Sequence, residues 1–168
     1  MDLDPSFEDV LAAAERIRGF VHRTPVMRSS AIDGMAGARL CFKCENLQKV
    51  GAFKARGASN AVLALDEAAA RLGVATHSSG NHAAALALAA RTRGIAAHIV
   101  MPRTAPPVKR AAVEGYGARI TTCEPTLAAR EEALAGVVAA TGATFVHPYD
   151  EPLVIAGQGT ASLELLTD

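Results

Sequence analysis

The sequence has no surplus of charge: Lys+Arg and Asp+Glu each number 17 in 168 residues, and the formal net charge is zero. This excludes a global electrostatic pull toward nucleic acid or an anionic membrane, and makes a small-molecule ligand the expectation. Cysteine is scarce as well. Of Cys41, Cys44 and Cys123, the first two form a CxxC spacing within Arg39–Glu45. Period-two alternation there reads as a strand over 39–45, which sends the two thiols to opposite faces and argues against a metal or redox pair. No apolar run is long enough to span a bilayer. The N-terminal Met1-Asp-Leu-Asp-Pro-Ser is acidic and lacks the basic and apolar regions of a signal peptide, so a cytoplasmic location is expected.

What is present is apolar bulk and a regular order. Half of the chain is hydrophobic, and the length suits one domain, or a small domain with part of another. A serine-capped helix is expected from Ser6 to Arg18, Thr24-Pro25 sends the chain out extended, and a helix is expected from Phe53 to Leu72. Short β-prone runs follow at 74–79, 96–101, 118–123 and 143–147. The first three lead into helical segments at 81–93, 106–116 and 126–140. Such alternation predicts an α/β fold, a parallel sheet with helices on both faces. After His147-Pro-Tyr-Asp-Glu-Pro, the Gly157-Gln-Gly159 stretch is expected to run into a new helix that has barely formed at Asp168.

Two stretches carry chemistry. Lys54 stands between Phe53 and Ala55 in Gly51–Ala58, at an expected helix start whose partial positive end disfavours a protonated amine. The second, Ser78-Ser79-Gly80-Asn81-His82, is a polar strand-to-helix turn at a strand's carboxyl end, where open α/β sheets bind ligands. Its serine hydroxyls and helix-start N–H groups can cradle a carboxylate or phosphate, or simply cap the helix.

Lys43–Ala58, Ser78–His82, His147–Pro152 and Ile155–Thr160, in this order and spacing, resemble the pyridoxal-phosphate enzymes of the tryptophan-synthase-β fold type (fold type II), in the serine/threonine dehydratase and serine racemase branch. The similarity runs from Thr24-Pro25 to Leu166. The resemblance implies that Lys54 forms the Schiff base with the cofactor aldehyde and removes the substrate α-proton, that Phe53 flanks the pyridine ring, and that Asn81 contacts its 3-oxygen. It implies that Ser78, Ser79, Gly80, Asn81 and His82 hold the substrate carboxylate, and that Ser79 exchanges a proton on the opposite face in racemase-like members. Arg130 matches a residue that reaches the carboxylate in a closed form, although a solvated helix charge explains it equally. Ala52 stands where many relatives have serine.

The implied activity is ammonia-lyase (dehydratase) chemistry converting L-serine and/or L-threonine to a 2-keto acid and ammonia, with serine racemisation as the alternative. The family's glycine-rich phosphate loop, the partner of its pyridine nitrogen and the carboxylates of its divalent-cation site, where Mg2+ would bind, correspond to positions beyond Asp168. No metal ligands are therefore expected in this chain, and the second domain is expected to be incomplete. Residues 1–72 would be the N-terminal part of a large cofactor domain, 73–150 a small α/β subdomain with four parallel strands, and 151–168 the start of the remainder of the large domain. A third alternative is a truncated, inactive chain serving at most as a binding or dimerising module, and low activity is expected of the 168 residues alone. The resemblance also implies a homodimer at full length. Lys49 and Tyr116 fall at positions tied to a nucleotide response in racemase-type relatives, whereas Tyr149 departs from the usual asparagine.

Overall fold

A computed structural model describes residues 4–168; residues 1–3, part of the acidic N-terminal stretch, lie outside the described residues. Helix α1 (Phe7–Arg16) begins with a capping box, in which the Ser6 hydroxyl accepts the Asp9 amide and the Asp9 carboxylate accepts the Ser6 amide. Strands β1 (Val26–Met27) and β2 (Phe42–Lys43) pair antiparallel around α2 (Ser30–Ala36). The strand expected over 39–45 is therefore only two residues long. The Leu40 amide is taken by the Asp33 carboxylate at 2.7 Å, and a 3-10 turn begins at Glu45. Cys41 and Cys44 flank β2 instead of alternating along it, and both are free thiols.

The helix expected from Phe53 to Leu72 is two helices, α3 (Lys54–Ala64) and α4 (Glu67–Leu72). Two side chains make the break. Asp66 caps α4 by accepting the Ala69 amide at 2.8 Å, while the Arg93 guanidinium takes the Val62 and Leu65 carbonyls at the end of α3, at 2.5 and 2.7 Å.

The β/α alternation then unfolds as expected: β3 (Val74–His77), α5 (Asn81–Arg93), β4 (Ala97–Pro102), α6 (Pro107–Gly115), β5 (Arg119–Cys123), α7 (Leu127–Thr141) and β6 (Thr144–Phe145). These strands form one parallel four-stranded sheet in the order β5-β4-β3-β6. Helices cover both faces. Val74, Ile99 and Met101 pack with Leu86 of α5 and Val113 of α6, whereas the alternate residues Ala75 and Val100 pack against Leu134 of α7. Each large side chain buried in this way contributes roughly 1.5–3 kcal/mol. Helix α5 is sandwiched between the sheet and α3, and the run of buried alanines from Ala83 to Ala90 suits a helix enclosed on both sides.

The last helix, α8 (Pro152–Thr167), starts earlier and runs longer than expected, with Pro152 in its first turn and both Gly157 and Gly159 in its interior. Packing explains the glycines. A Cβ on Gly157 would lie 2.6 Å from the Gly57 Cα, and one on Gly57 would lie 2.6 Å from the Val154 carbonyl oxygen, so α3 and α8 cross at backbone contact. Gly159 makes similar room for Val10 of α1. No helix among the described residues is long and apolar enough to cross a membrane.

Candidate active site

Lys54 is the first residue of α3 and is half-buried, and its amine donates to the Pro148 carbonyl at 2.7 Å. Burial holds its pKa below the ordinary lysine value. Its place at the positive end of α3 acts in the same direction. The Phe53 ring, 44% exposed, has its centroid 5.1 Å from the amine, so an open aromatic face lies beside it.

The start of α3 is clamped from below by Arg56, whose side chain is wholly buried. The guanidinium donates to the Glu45 carboxylate at 2.8 and 2.9 Å, to both Glu164 oxygens at 2.8 Å, to the Thr160 hydroxyl at 3.2 Å and to the His22 carbonyl at 3.3 Å. Burial alone would raise the Glu45 and Glu164 carboxyls; hydrogen bonds from Arg56, with Thr24 on Glu45 and Lys43 on Glu164, hold both below the usual range. Segments far apart in sequence thereby converge two residues from Lys54.

The turn after β3 lies at the carboxyl edge of the sheet. The Ser78 hydroxyl accepts the Gly80 amide at 3.2 Å, and Asn81 opens α5, its side-chain oxygen accepting from the Lys109 amine of α6 at 2.7 Å. This contact turns the Asn81 NH2 group away from Lys109 and leaves it free to donate. Ser79 is half-buried, and a Cβ built on Gly80 would have nothing within 4 Å, so the space over the turn is open. His82 differs from its neighbours. Its ring is 3% exposed, with Nε2 at 3.3 Å from the Val146 carbonyl, and burial first of all lowers its pKa to about 4.

Lys54 and the 78–82 turn thus meet on one segment: Pro148 receives the Lys54 amine and Val146, two residues earlier, receives the His82 ring. Arg130 is not part of this junction. It lies in the first turn of α7, half-buried, close enough to His77 and Cys123 to influence their charge, and its Nε is buried without a hydrogen-bond partner among the described residues. Pro148, Lys109 and Arg56 were not singled out from the sequence. A backbone carbonyl has no residue-type signature, and the contacts of Lys109 and Arg56 arise only from tertiary packing.

The residues present fit the ring and aldehyde ends of pyridoxal phosphate: an amine of lowered pKa, an aromatic face, a free carboxamide donor and open space over a polar turn. No cluster of three or more His, Cys, Asp or Glu able to hold a metal occurs among the described residues.

Comparison with known proteins places the chain among relatives that span it almost entirely. The chain is 57% identical over 162 residues to a β-hydroxyaspartate dehydratase of Paracoccus denitrificans, covering 96% of the chain and 51% of that protein. The structure of maize serine racemase superposes with a TM-score of 0.96 at 52% identity, covering 97% of this chain and 50% of that one. For a threonine deaminase of T.th. the values are 0.90 and 47%, covering 97% and 51%. The chain spans about half the length of the relatives it matches. The fold is that of the type II pyridoxal-phosphate enzymes, as the sequence motifs implied. A model of the pyridoxal-phosphate dependent enzymes matches residues 17–168, and the chain belongs to that family.

Proposed function

We propose that this chain supplies the reactive-lysine half of a pyridoxal-phosphate-dependent ammonia-lyase that dehydrates a β-hydroxy α-amino acid, L-serine and/or L-threonine, to a 2-keto acid and ammonia. The observation that carries this reading is the junction at Val146–Pro148, where a half-buried amine and a polar strand-end turn are held on the same segment. When bound, pyridoxal phosphate supplies an electron-withdrawing ring that stabilises negative charge at the substrate α-carbon.

The chain's own residues have distinct tasks in this reading. Lys54, kept short of water, holds its amine in the neutral form more readily than an ordinary lysine and takes the α-proton. Phe53 and Asn81 hold the cofactor, the first by its ring face and the second by its free NH2. Ser78, Ser79, Gly80 and Asn81 orient the substrate carboxylate with hydroxyls and helix-start amides. Arg130, with an unsatisfied Nε at the same sheet edge, is the candidate for a further carboxylate contact. The domain division at 72 and 150, a homodimeric full-length protein, a cytoplasmic location and Mg2+ bound by residues outside this chain belong to the same reading.

A second reading is racemisation at the α-carbon. The half-buried hydroxyl of Ser79 at the open turn favours it, and serine racemases are among the proteins with this fold.

Incubating the full-length protein with cofactor and L-serine, L-threonine or 3-hydroxyaspartate, with keto acid and chiral amino-acid analysis, tests both readings. Keto acid formation lost in Lys54→Ala supports the lyase. Turnover that survives that substitution overturns the role of Lys54, D-serine formation that is unaffected by Ser79→Ala overturns the two-base role of Ser79, and an absence of D-serine overturns the racemase reading.

A further inference from the structure

We propose that His82 is a positioning residue for Lys54: its ring holds the Val146 carbonyl and thereby fixes the Pro148 carbonyl that receives the Lys54 amine. The inference rests on the reading of Lys54 as the reactive amine. It departs from the role that resemblance assigns to His82, because a ring 3% exposed and bonded to buried backbone does not face the open space over the turn.

The contacts define a short mechanical chain. A carbonyl only accepts, so His82 Nε2 carries the proton and Nδ1, buried with no partner among the described residues, is the bare nitrogen. Val146 is the last residue of its segment tied to the sheet, its amide donating to the Ala75 carbonyl at 2.9 Å. Its own carbonyl is taken by the His82 ring as the chain leaves β6. On the far side of Pro148, the His147 Nδ1 accepts the Asp150 amide at 2.8 Å and the Tyr149 amide at 3.3 Å, and the His147 amide donates to the Glu151 carboxylate at 3.2 Å. Pro148 has no N–H of its own and a fixed φ, so the direction of its carbonyl is set by these neighbours. His82 is the member of this set that ties the segment to α5, and so to the turn that begins that helix. The titratable groups facing the ring are Lys54, His77 and His147.

Removing the ring N–H leaves the Val146 carbonyl, on a residue 1% exposed, without its donor. The segment then shifts toward water or another donor, and Lys54 loses its acceptor. An amine released in this way turns outward, and the burial that favours its neutral form is relieved.

The test uses the protein without cofactor. Pyridoxal 5'-phosphate and borohydride are added across the neutral to alkaline range, and labelling of Lys54 is measured against Lys49 by peptide mass spectrometry, with thermal unfolding of each variant as the check on folding. In His82→Leu, Lys54 labelling at neutral pH is expected to fall about tenfold, the weight of one lost buried hydrogen bond. In His82→Gln, whose amide can donate to the same carbonyl, labelling should recover. Wild-type labelling in a folded His82→Leu variant overturns the proposal. So does low labelling in a folded His82→Gln variant, and this arm remains decisive if the leucine variant fails to fold. Lys54 labelled no faster than Lys49 in the wild type overturns the reading of Lys54 itself and the proposal with it.

Discussion

The burial of His82 has a consequence for stability that can be measured without any substrate. Its pKa falls from the ordinary 6.5 to about 4 in the folded chain, with burial the largest cause and the Val146 carbonyl acting against it. Between these values the unfolded chain binds a proton at this position and the folded chain does not. The contribution of neutral His82 is therefore fully present above pH 6.5 and is lost as pH falls toward 4, by about 3 kcal/mol at the lower end. His77 and His98 are also pushed down by burial and tilt the profile in the same direction, whereas burial raises the Glu151 carboxyl, which acts oppositely. A difference measurement removes these common terms. Urea unfolding of the wild type and of His82→Gln, followed from pH 7 to pH 4, should show the wild type losing about 3 kcal/mol more than the variant. Parallel profiles would refute the reasoning, since they would mean that the ring accepts a proton in place without cost.

Other substitutions probe how the lysine helix is held. Gly157→Ala places a methyl 2.6 Å from the Gly57 Cα, and should destabilise the chain by about 2–3 kcal/mol with a matching fall in the urea midpoint, since backbone cannot yield as a side chain can. Arg56→Met leaves the Glu45 and Glu164 carboxylates facing each other without their shared cation, and should cost about 3–5 kcal/mol by the same assay. The double change Arg56→Met with Glu164→Leu should recover part of this loss, and a double-mutant cycle measures the coupling.

Much of the fold could be read from the sequence because its signals are local. Alternating β-prone runs and helical segments required a parallel sheet, and Ser6 ahead of an acidic first turn marked a helix start. Lys54 and the Ser78–His82 turn could be placed at a helix start and a strand end for the same reason. The failures share a different origin. The stretch Phe53–Leu72 has uninterrupted helical composition, and it breaks because Arg93, from another helix, satisfies the carbonyls at the end of α3. Gly157 and Gly159 read as a helix entry, yet they lie mid-helix because α3 and α1 approach at those points. Arg93 and the helices that meet the two glycines lie far away in sequence, where neither propensity nor periodicity carries information; only Asp66, the second side chain at the α3–α4 break, is a local cap signal.

The same distinction bears on where the environment of Lys54 originates. Its sequence neighbours supply a helix start and an aromatic face, which together bias the amine only modestly. The burial that lowers its pKa and the acceptor that orients it both come from elsewhere: Pro148 follows the edge strand β6, and Arg56 locks α3 to Glu45 and to α8. A lysine in the same octapeptide on an isolated helix would be solvated and protonated at neutral pH. The motif therefore marks the position of the amine, and the crossing of α3 with α8 together with the Val146–Pro148 segment sets its burial and its acceptor, so substitutions at Gly157 or His82 should alter Lys54 without touching it.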